Sequence, residues 1–120
     1  MKTWLLISIG IVALIHFYFM LLEMVLWTKP IALKAFGFKK EFAEKTKVLA
    51  ANQGLYNGFL VAGLLWSMLE INNNIQLSYF FLGCVIIAGI YGSISLKSSK
   101  VLFIQSGPAI IALLLTQLLN

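Results

Sequence analysis

The stretch that decides the fold is residues 4–27, WLLISIGIVALIHFYFMLLEMVLW, an apolar run interrupted by His16 and Glu23. A helix from Trp4 to Trp27 would be roughly 35 Å long, which matches a bilayer core with a little of each interface. Tryptophan favours the membrane interface, so the two indoles mark the ends of a span. The stretch therefore predicts a transmembrane helix.

The composition extends this prediction to the whole chain. Hydrophobic residues make up 61% and charged residues 11%, against about 25% charged in soluble domains, and the mean hydropathy is +0.95. Three more apolar stretches follow the first. We predict an all-α fold, an integral membrane four-helix bundle that forms a single transmembrane domain, residues 1–120. The predicted spans are about 4–27, 48–69, 75–96 and 101–119.

The basic residues predict the orientation. All nine are lysines, and eight of them fall in the connectors after the first and third spans. The positive-inside rule places these connectors in the cytoplasm, so both termini lie outside the cell membrane. We read the first connector as an orienting cationic loop with a few anchoring apolar side chains; the alternative is a segment lying along the membrane surface. Without arginine for bidentate recognition, the charge predicts membrane lipids rather than nucleic acid as partner.

Polar side chains from all four spans fall at matched depths below the lysine-rich edge. Counting along each helix from that edge places Glu23 roughly 6 Å deep. Four residues of the other spans lie roughly 8–9 Å deep: Asn52, Gln53, Tyr91 and Gln105. His16 and Asn57 lie deeper, at roughly 15–17 Å. The predicted ligand-binding residues are Glu23, His16, Asn52, Gln53 and Asn57, with Tyr91 and Gln105 at the rim.

Glu23 is the strongest functional candidate of this set. A central carboxylate costs roughly 2.5–3.5 kcal/mol to insert, so an intramembrane acid usually marks a site. The alternative is a neutral, hydrogen-bonded structural glutamate. The expected partner of Glu23 is Asn52, Gln53 or a lysine at the cytoplasmic edge. His16 is either a proton partner or ligand contact, or a structural group. The three amides could equally cross-link helices.

The pattern assigns no reaction. The single histidine and single cysteine give no metal-ligand spacing, and no nucleophile–base pair or phosphate-binding loop is present. We therefore predict no metal site and no cofactor.

Small residues at four-residue spacing predict close helix contacts. Because so small a bundle cannot easily bury all these polar groups, we also expect a homo-oligomer, a dimer or trimer. The leading interpretation is a cytoplasm-side intramembrane polar pocket for a small amphipathic or lipid-like ligand. The alternatives are a small proton-coupled transporter or ion pathway using Glu23, and a helper subunit of a membrane complex. The small-residue stripes are Gly54, Gly58 and Ala62 in the second span, and Cys84, Ala88 and Gly92 in the third.

Several segments resemble one known family. They are IHFYFMLLEM at 15–24 with Trp27, ANQGLYNGFL at 51–60, FLGCV at 81–85, AGIYG at 88–92, Gln105 and Pro108–Ala109. The chain resembles the four-span membrane proteins catalogued as domain of unknown function thirteen-zero-four, which have about 120 residues, the room that four spans and their connectors need. This resemblance implies the fold and carries no established activity.

Two more distant similarities are architectural. The segment GLLWS at 63–67 is similar to the end of the second helix in membrane-associated eicosanoid and glutathione metabolism proteins, a resemblance that implies trimers with sites between subunits. The arginines that bind glutathione there have no counterpart in this chain, which argues against glutathione chemistry. Small multidrug-resistance transporters share the length, the span count and a glutamate in the first span, but Glu23 is off-centre and their surrounding motif is missing.

Overall fold

The structure is a computed structural model that describes residues 1–119. Within that range the chain is all-α and has no strand, which confirms the predicted fold class. A π-helical turn, Leu102–Ser106, interrupts the last helix. The helices are α1 (Thr3–Met24), α2 (Pro30–Phe36), α3 (Lys40–Leu69), α4 (Asn74–Ser95), α5 (Ser99–Val101) and α6 (Gly107–Leu119).

Four helical segments are long and apolar enough to cross a membrane: α1, α3, α4, and the segment Ser99–Leu119 that joins α5 to α6. Their exposed faces are apolar, with Leu14, Phe80 and Phe103 each at least 65% exposed. Such faces suit contact with lipid tails, because they would form large apolar patches in water. The chain thus has the helices of a multi-pass membrane protein. Its orientation stays a prediction.

The second long helix starts earlier than its predicted span. α3 has 30 residues and is therefore about 45 Å long, well beyond a hydrocarbon core of about 30 Å. Its first turns, residues 40–47, are highly charged, and exposed ion pairs link Lys45 to Glu41 and Lys47 to Glu44. Lysine, glutamate and alanine are good helix formers, so the helix continues outside the apolar stretch. Apolar content alone marks only the part of α3 suited to lipid.

The connector between the first two spans contains a helix where we expected a loop. Pro30 is the first residue of α2, where a backbone N–H would have no partner within the helix, so the N–H that proline lacks costs nothing. Gly37 ends α2 in the left-handed conformation, with φ 71°. The N–H groups of Gly37 and Phe38 both donate to the carbonyl of Leu33, at 2.8 and 3.1 Å. This glycine cap explains why α2 stops after two turns.

Proline shapes the last segment. In an α-helix the N–H of residue 108 would donate to the carbonyl of Ile104, but Pro108 has no N–H and its ring clashes with that carbonyl. The chain widens instead, and the N–H of Gly107 donates to Leu102, five residues back. The resulting π-helical turn carries Gln105 and Ser106.

The described residues form two compact units. The hairpin unit is His16–Phe59 and contains the second half of α1, α2 and the first half of α3. The four-helix unit comprises Met1–Ile15 and the described residues from Leu60 onward. It holds a closed apolar core, formed by Ile9, Val12, Ala13, Leu64, Leu82, Val85, Ala109 and Ala112. That residues 1–120 form a single domain stays a prediction.

Candidate functional site

A buried carboxyl–amide pair lies at the centre of the hairpin unit. Glu23, the next-to-last residue of α1, is 4% exposed, and Asn57 of α3 is 8% exposed. The Asn57 side-chain amide donates to Glu23 Oε1 at 2.5 Å. A buried carboxyl group is costly unless it is hydrogen-bonded, so this bond is what allows Glu23 to lie inside the unit.

Glycine brings the two helices together at this point. A Cβ atom added to Gly54 would lie 2.5 Å from Met24 Cγ, 3.1 Å from Glu23 Cβ and 3.2 Å from the carbonyl of Met20. One turn further along α3, a Cβ on Gly58 would lie 3.0 Å from Met20 Sδ. Gly54 and Gly58 of the predicted stripe therefore make a close helix contact against α1, whereas Ala62, the third residue of the stripe, is exposed.

The depth estimate grouped Asn57 with His16, whereas the structure joins Asn57 to Glu23. Side chains lean toward the N-terminus of their own helix. The helices α1 and α3 are antiparallel. Trp27, just after α1, donates a hydrogen bond to Thr46 near the start of α3, whereas Met20 lies next to Gly58, further along α3. Glu23 therefore leans deeper and Asn57 leans back toward the lysine-rich end. Their side chains meet although their positions along the helices predict different depths.

The other two amides of α3 lie on its exposed side. Gln53 reaches the Glu23 carboxyl group with its side chain, while its residue as a whole is exposed. Asn52 is also exposed. It is about 140° around the helix from Asn57, so the two cannot face α1 together. The structure thus brings Glu23, Gln53 and Asn57 together and leaves Asn52 outside that group.

His16 is fully buried, two turns before Glu23 on α1. Its ring meets the edge of Phe19 at a centroid distance of 6.2 Å. Phe19 in turn contacts Phe36 of α2 at 6.4 Å. His16 is thus part of a chain of rings that runs from α1 to the connector.

That chain ends in an aromatic cluster that the depth argument did not find. The Trp27 ring lies 5.1 Å from Phe36 and 5.4 Å from Phe38, and Phe38 lies 4.8 Å from Phe42. The Trp27 indole N–H also donates to Thr46 Oγ1 at 3.0 Å. The alternation of phenylalanine with lysine in the connector was the signal for this aromatic cluster, Trp27, Phe36, Phe38 and Phe42.

The two predicted rim residues belong to the four-helix unit. Tyr91 of α4 is 73% exposed, and Gln105 is half-buried in the π-helical turn. Close to them, Ser106 Oγ donates to the carbonyl of Ile86 at 2.9 Å, and Gly89 leaves the space that Ser106 occupies. The role of Tyr91 and Gln105 as a rim stays a prediction.

Within residues 1–119, no three histidine, cysteine, aspartate or glutamate side chains are grouped so that they could hold a metal ion. The buried polar side chains of the hairpin unit are the Glu23 carboxyl group, the Asn57 amide and the His16 imidazole. Such groups bind by hydrogen bonding and charge and can carry a proton.

The fold and these residues define a class, the small all-α membrane proteins with a polar group between apolar helices. Residues 10–117 match the family described as "Protein of unknown function (DUF1304)", and the chain belongs to this family. It is also 32% identical to "Uncharacterized protein YpaA" of Lactococcus lactis subsp. lactis (strain IL1403) over 106 residues, which cover 87% of this chain and 88% of that relative. No solved structure matches the chain. The match confirms the family predicted from the residues.

Proposed function

We propose that this protein binds a small amphipathic or lipid-like molecule within the membrane, with the Glu23 carboxyl group as its polar anchor. The observation that carries the proposal is the carboxyl–amide pair of Glu23 and Asn57, buried between helices apolar enough to cross a membrane. A pair of apolar side chains would hold the helices together without the cost of burying a carboxyl group.

The carboxyl group has capacity for further hydrogen bonds. An ionised carboxylate offers about four lone-pair sites, and Asn57 and Gln53 supply two donors. A hydroxyl or amine headgroup would fill the remaining sites. In lipid, where water is scarce, such a donor has few competing partners.

Methionine side chains provide an adaptable apolar wall next to the carboxyl group. Met24 lies against Gly54, and Met20 lies against Gly58. The unbranched thioether changes rotamer easily and fits varied apolar shapes. Met24 is 43% exposed, so its movement would open a path from the lipid side of α1 toward Glu23 for the ligand's apolar tail.

The experiment compares two glutamates that undergo the same change. Wild type, Glu23→Gln and Glu41→Gln are purified in mild detergent, and co-purifying molecules are identified by native mass spectrometry. Glu41 is exposed and lies outside the apolar part of α3. We expect wild type and Glu41→Gln to retain the same molecule and Glu23→Gln to lose it.

A thermal-shift screen with extracted lipids provides the second measurement. A ligand at a hundredfold excess over its Kd stabilises the fold by about 2.7 kcal/mol. Equal occupancy in Glu23→Gln and wild type would contradict the proposal. So would wild type with neither a bound molecule nor stabilisation by any lipid fraction.

We further propose that the protein resides in the cell membrane, with its lysine-rich connectors in the cytoplasm.

We also propose that a second copy of the chain covers the exposed side of α3. Asn52 and Gln53 are exposed on a helix apolar enough to cross a membrane. Amides both donate and accept, so two identical faces can satisfy each other. In a Cys84→Ser background, Asn52→Cys should form an intermolecular disulfide and the exposed control Ile87→Cys should not.

A second candidate function is proton-coupled transport. The observation that favours it is that Glu23 and His16 are both buried on α1, two turns apart. In liposomes, a transporter would show a flux that Glu23→Gln abolishes and Glu41→Gln leaves intact. A wild type without proton or substrate flux would exclude this candidate and leave the binding function standing.

A further inference from the structure

We propose that the first connector binds the anionic headgroups of bilayer phospholipids through a surface of four lysines. This lysine surface consists of Lys29, Lys34, Lys39 and Lys40, all exposed. The site is separate from the Glu23 site in position and in chemistry: it takes negative charge, whereas Glu23 takes hydrogen-bond donors or positive charge.

The six lysines of the connector and of the start of α3 divide into two groups. Lys45 pairs with Glu41 at 3.3 Å, and Lys47 pairs with Glu44 at 3.6 Å. No other ion pair occurs in the part of the chain that the structure describes. The four lysines of the lysine surface therefore have no carboxylate of their own, and their charge is available to an external anion.

The aromatic cluster gives this charge a fixed support. The rings of Phe36 and Phe38 are stacked, with centroids 5.8 Å apart and an interplanar angle of 13°. Trp27 contacts both rings and is held by its hydrogen bond to Thr46. Amphipathic aromatic side chains favour the level of the lipid headgroups. The lysines of the lysine surface alternate with these rings along the chain and are exposed, so rings at the headgroup level would bring the lysines close to the lipid phosphates.

Two of the four lysines oppose the helix that follows them. Lys39 and Lys40 stand at the N-terminus of α3, where the helix dipole makes positive charge unfavourable. Their position therefore does not serve the stability of α3. An anionic headgroup at this end would be attracted by the lysines and by the helix terminus alike. Basic clusters next to a membrane span commonly bind anionic lipids in this way.

The experiment measures lipid preference with matched double variants. The whole protein is placed in nanodiscs of phosphatidylcholine mixed with phosphatidylglycerol, and the lipids retained on release are counted by native mass spectrometry. Lys34→Gln/Lys39→Gln removes two charges from the lysine surface. Lys45→Gln/Lys47→Gln removes the same number from lysines that are already paired, and is the control. Lys34→Arg/Lys39→Arg keeps the charge.

Wild type should prefer phosphatidylglycerol, and added salt should weaken that preference. Lys34→Gln/Lys39→Gln should reduce it about 25-fold, since each of the two lysines near an anionic surface contributes roughly fivefold. The control should change it less than about twofold, because exposed ion pairs leave little free charge. The arginine variant should match wild type.

Equal losses in the two glutamine variants would overturn the proposal, since they would show an effect of net charge alone. A wild type without preference for phosphatidylglycerol would also overturn it. If Lys34→Gln/Lys39→Gln does not fold, the salt dependence of wild type and the control variant decide the question. Glu23→Gln should keep the full preference, so failure of the Glu23 site and failure of the lysine surface are distinguishable.

Discussion

The two units of the molecule satisfy buried polar groups in different ways. In the four-helix unit, most buried hydroxyl groups bond to carbonyls of their own helix: Ser67 to Leu64, Ser78 to Asn74 and Thr116 to Ala112. In the hairpin unit, the Glu23 carboxyl group takes its hydrogen bond from Asn57 on a different helix.

The hydroxyl groups of the four-helix unit and the carboxyl group of the hairpin unit thus depend on their surroundings to different degrees. A hydroxyl that donates to a carbonyl of its own helix is hydrogen-bonded wherever the helix lies, and it needs no partner on a neighbouring helix. A carboxyl group satisfied across two helices depends on their alignment and is costly if they separate. The hairpin unit therefore contains the buried carboxyl–amide pair that we propose as a binding site, and the four-helix unit has the closed apolar core.

The largest effect is expected where backbones approach most closely. Gly54→Leu would force a side chain into the space of Met24, Glu23 and the Met20 carbonyl. We expect a loss of about 3 kcal/mol or more in the free energy of unfolding, measured in mixed micelles. A Cβ at Gly83 of α4 meets nothing within 4 Å, so Gly83→Leu should cost less than about 1 kcal/mol. Equal losses would disprove the close contact.

The second effect tests the bond between helices. Asn57→Leu removes the donor and leaves a buried carboxyl group behind, which should cost about 1–3 kcal/mol. The double variant Glu23→Leu/Asn57→Leu should cost less than the sum of the single variants. The same substitution at the exposed Asn52 should change monomer stability by less than about 0.5 kcal/mol. Additive costs in the cycle would mean that the two side chains do not interact.

The third effect concerns the aromatic cluster. Trp27→Phe keeps a ring and removes the hydrogen bond to Thr46, so we expect a loss of about 1 kcal/mol. In the four-helix unit, the exposed Trp66 donates to Glu70 at a longer distance, 3.4 Å. Trp66→Phe should therefore cost less than about 0.5 kcal/mol. A larger loss for Trp66→Phe than for Trp27→Phe would contradict the stabilising role of the Trp27–Thr46 hydrogen bond.

The smallest effect is expected for the hydroxyls of the four-helix unit. Ser67→Ala and Thr116→Val remove groups that bond to carbonyls of their own helix. Each should change the free energy of unfolding by less than about 0.5 kcal/mol, because the backbone bonds of the helix remain. A loss comparable to that of Asn57→Leu would erase the distinction between the two units.

Much of the fold could be predicted from the sequence because lipid imposes simple rules. Runs of about 20 apolar residues allow little except a helix, and all four predicted runs are helical. Helix ends followed other rules. α3 continues to Lys40 because charged helix formers extend it, and α1 stops at Met24 before the interfacial Trp27. Hydropathy alone does not report either of these ends.

Both residues of the buried pair stood out in the sequence, but their pairing with each other did not. Glu23 stands out because a carboxylate in an apolar run is expensive. Its partner is Asn57 rather than Asn52, since side-chain direction and the rotation of α3 decide which amide faces α1. Counting residues along a helix gives the depth of each Cα atom. It does not include the few ångströms by which a side chain leans along the helix axis.

The π-helical turn has a consequence for the tail of the protein. A turn closed by a bond to the fifth residue back holds one residue more than an α-turn, so the chain after Ser106 is advanced by one position, or about 100° around the axis. Ala109, Ala112 and Thr116 are buried with this phase. Deleting any one residue between Leu102 and Ser106 would rotate that stripe toward lipid, so chain length in this short interval sets which residues of the last helix are hidden.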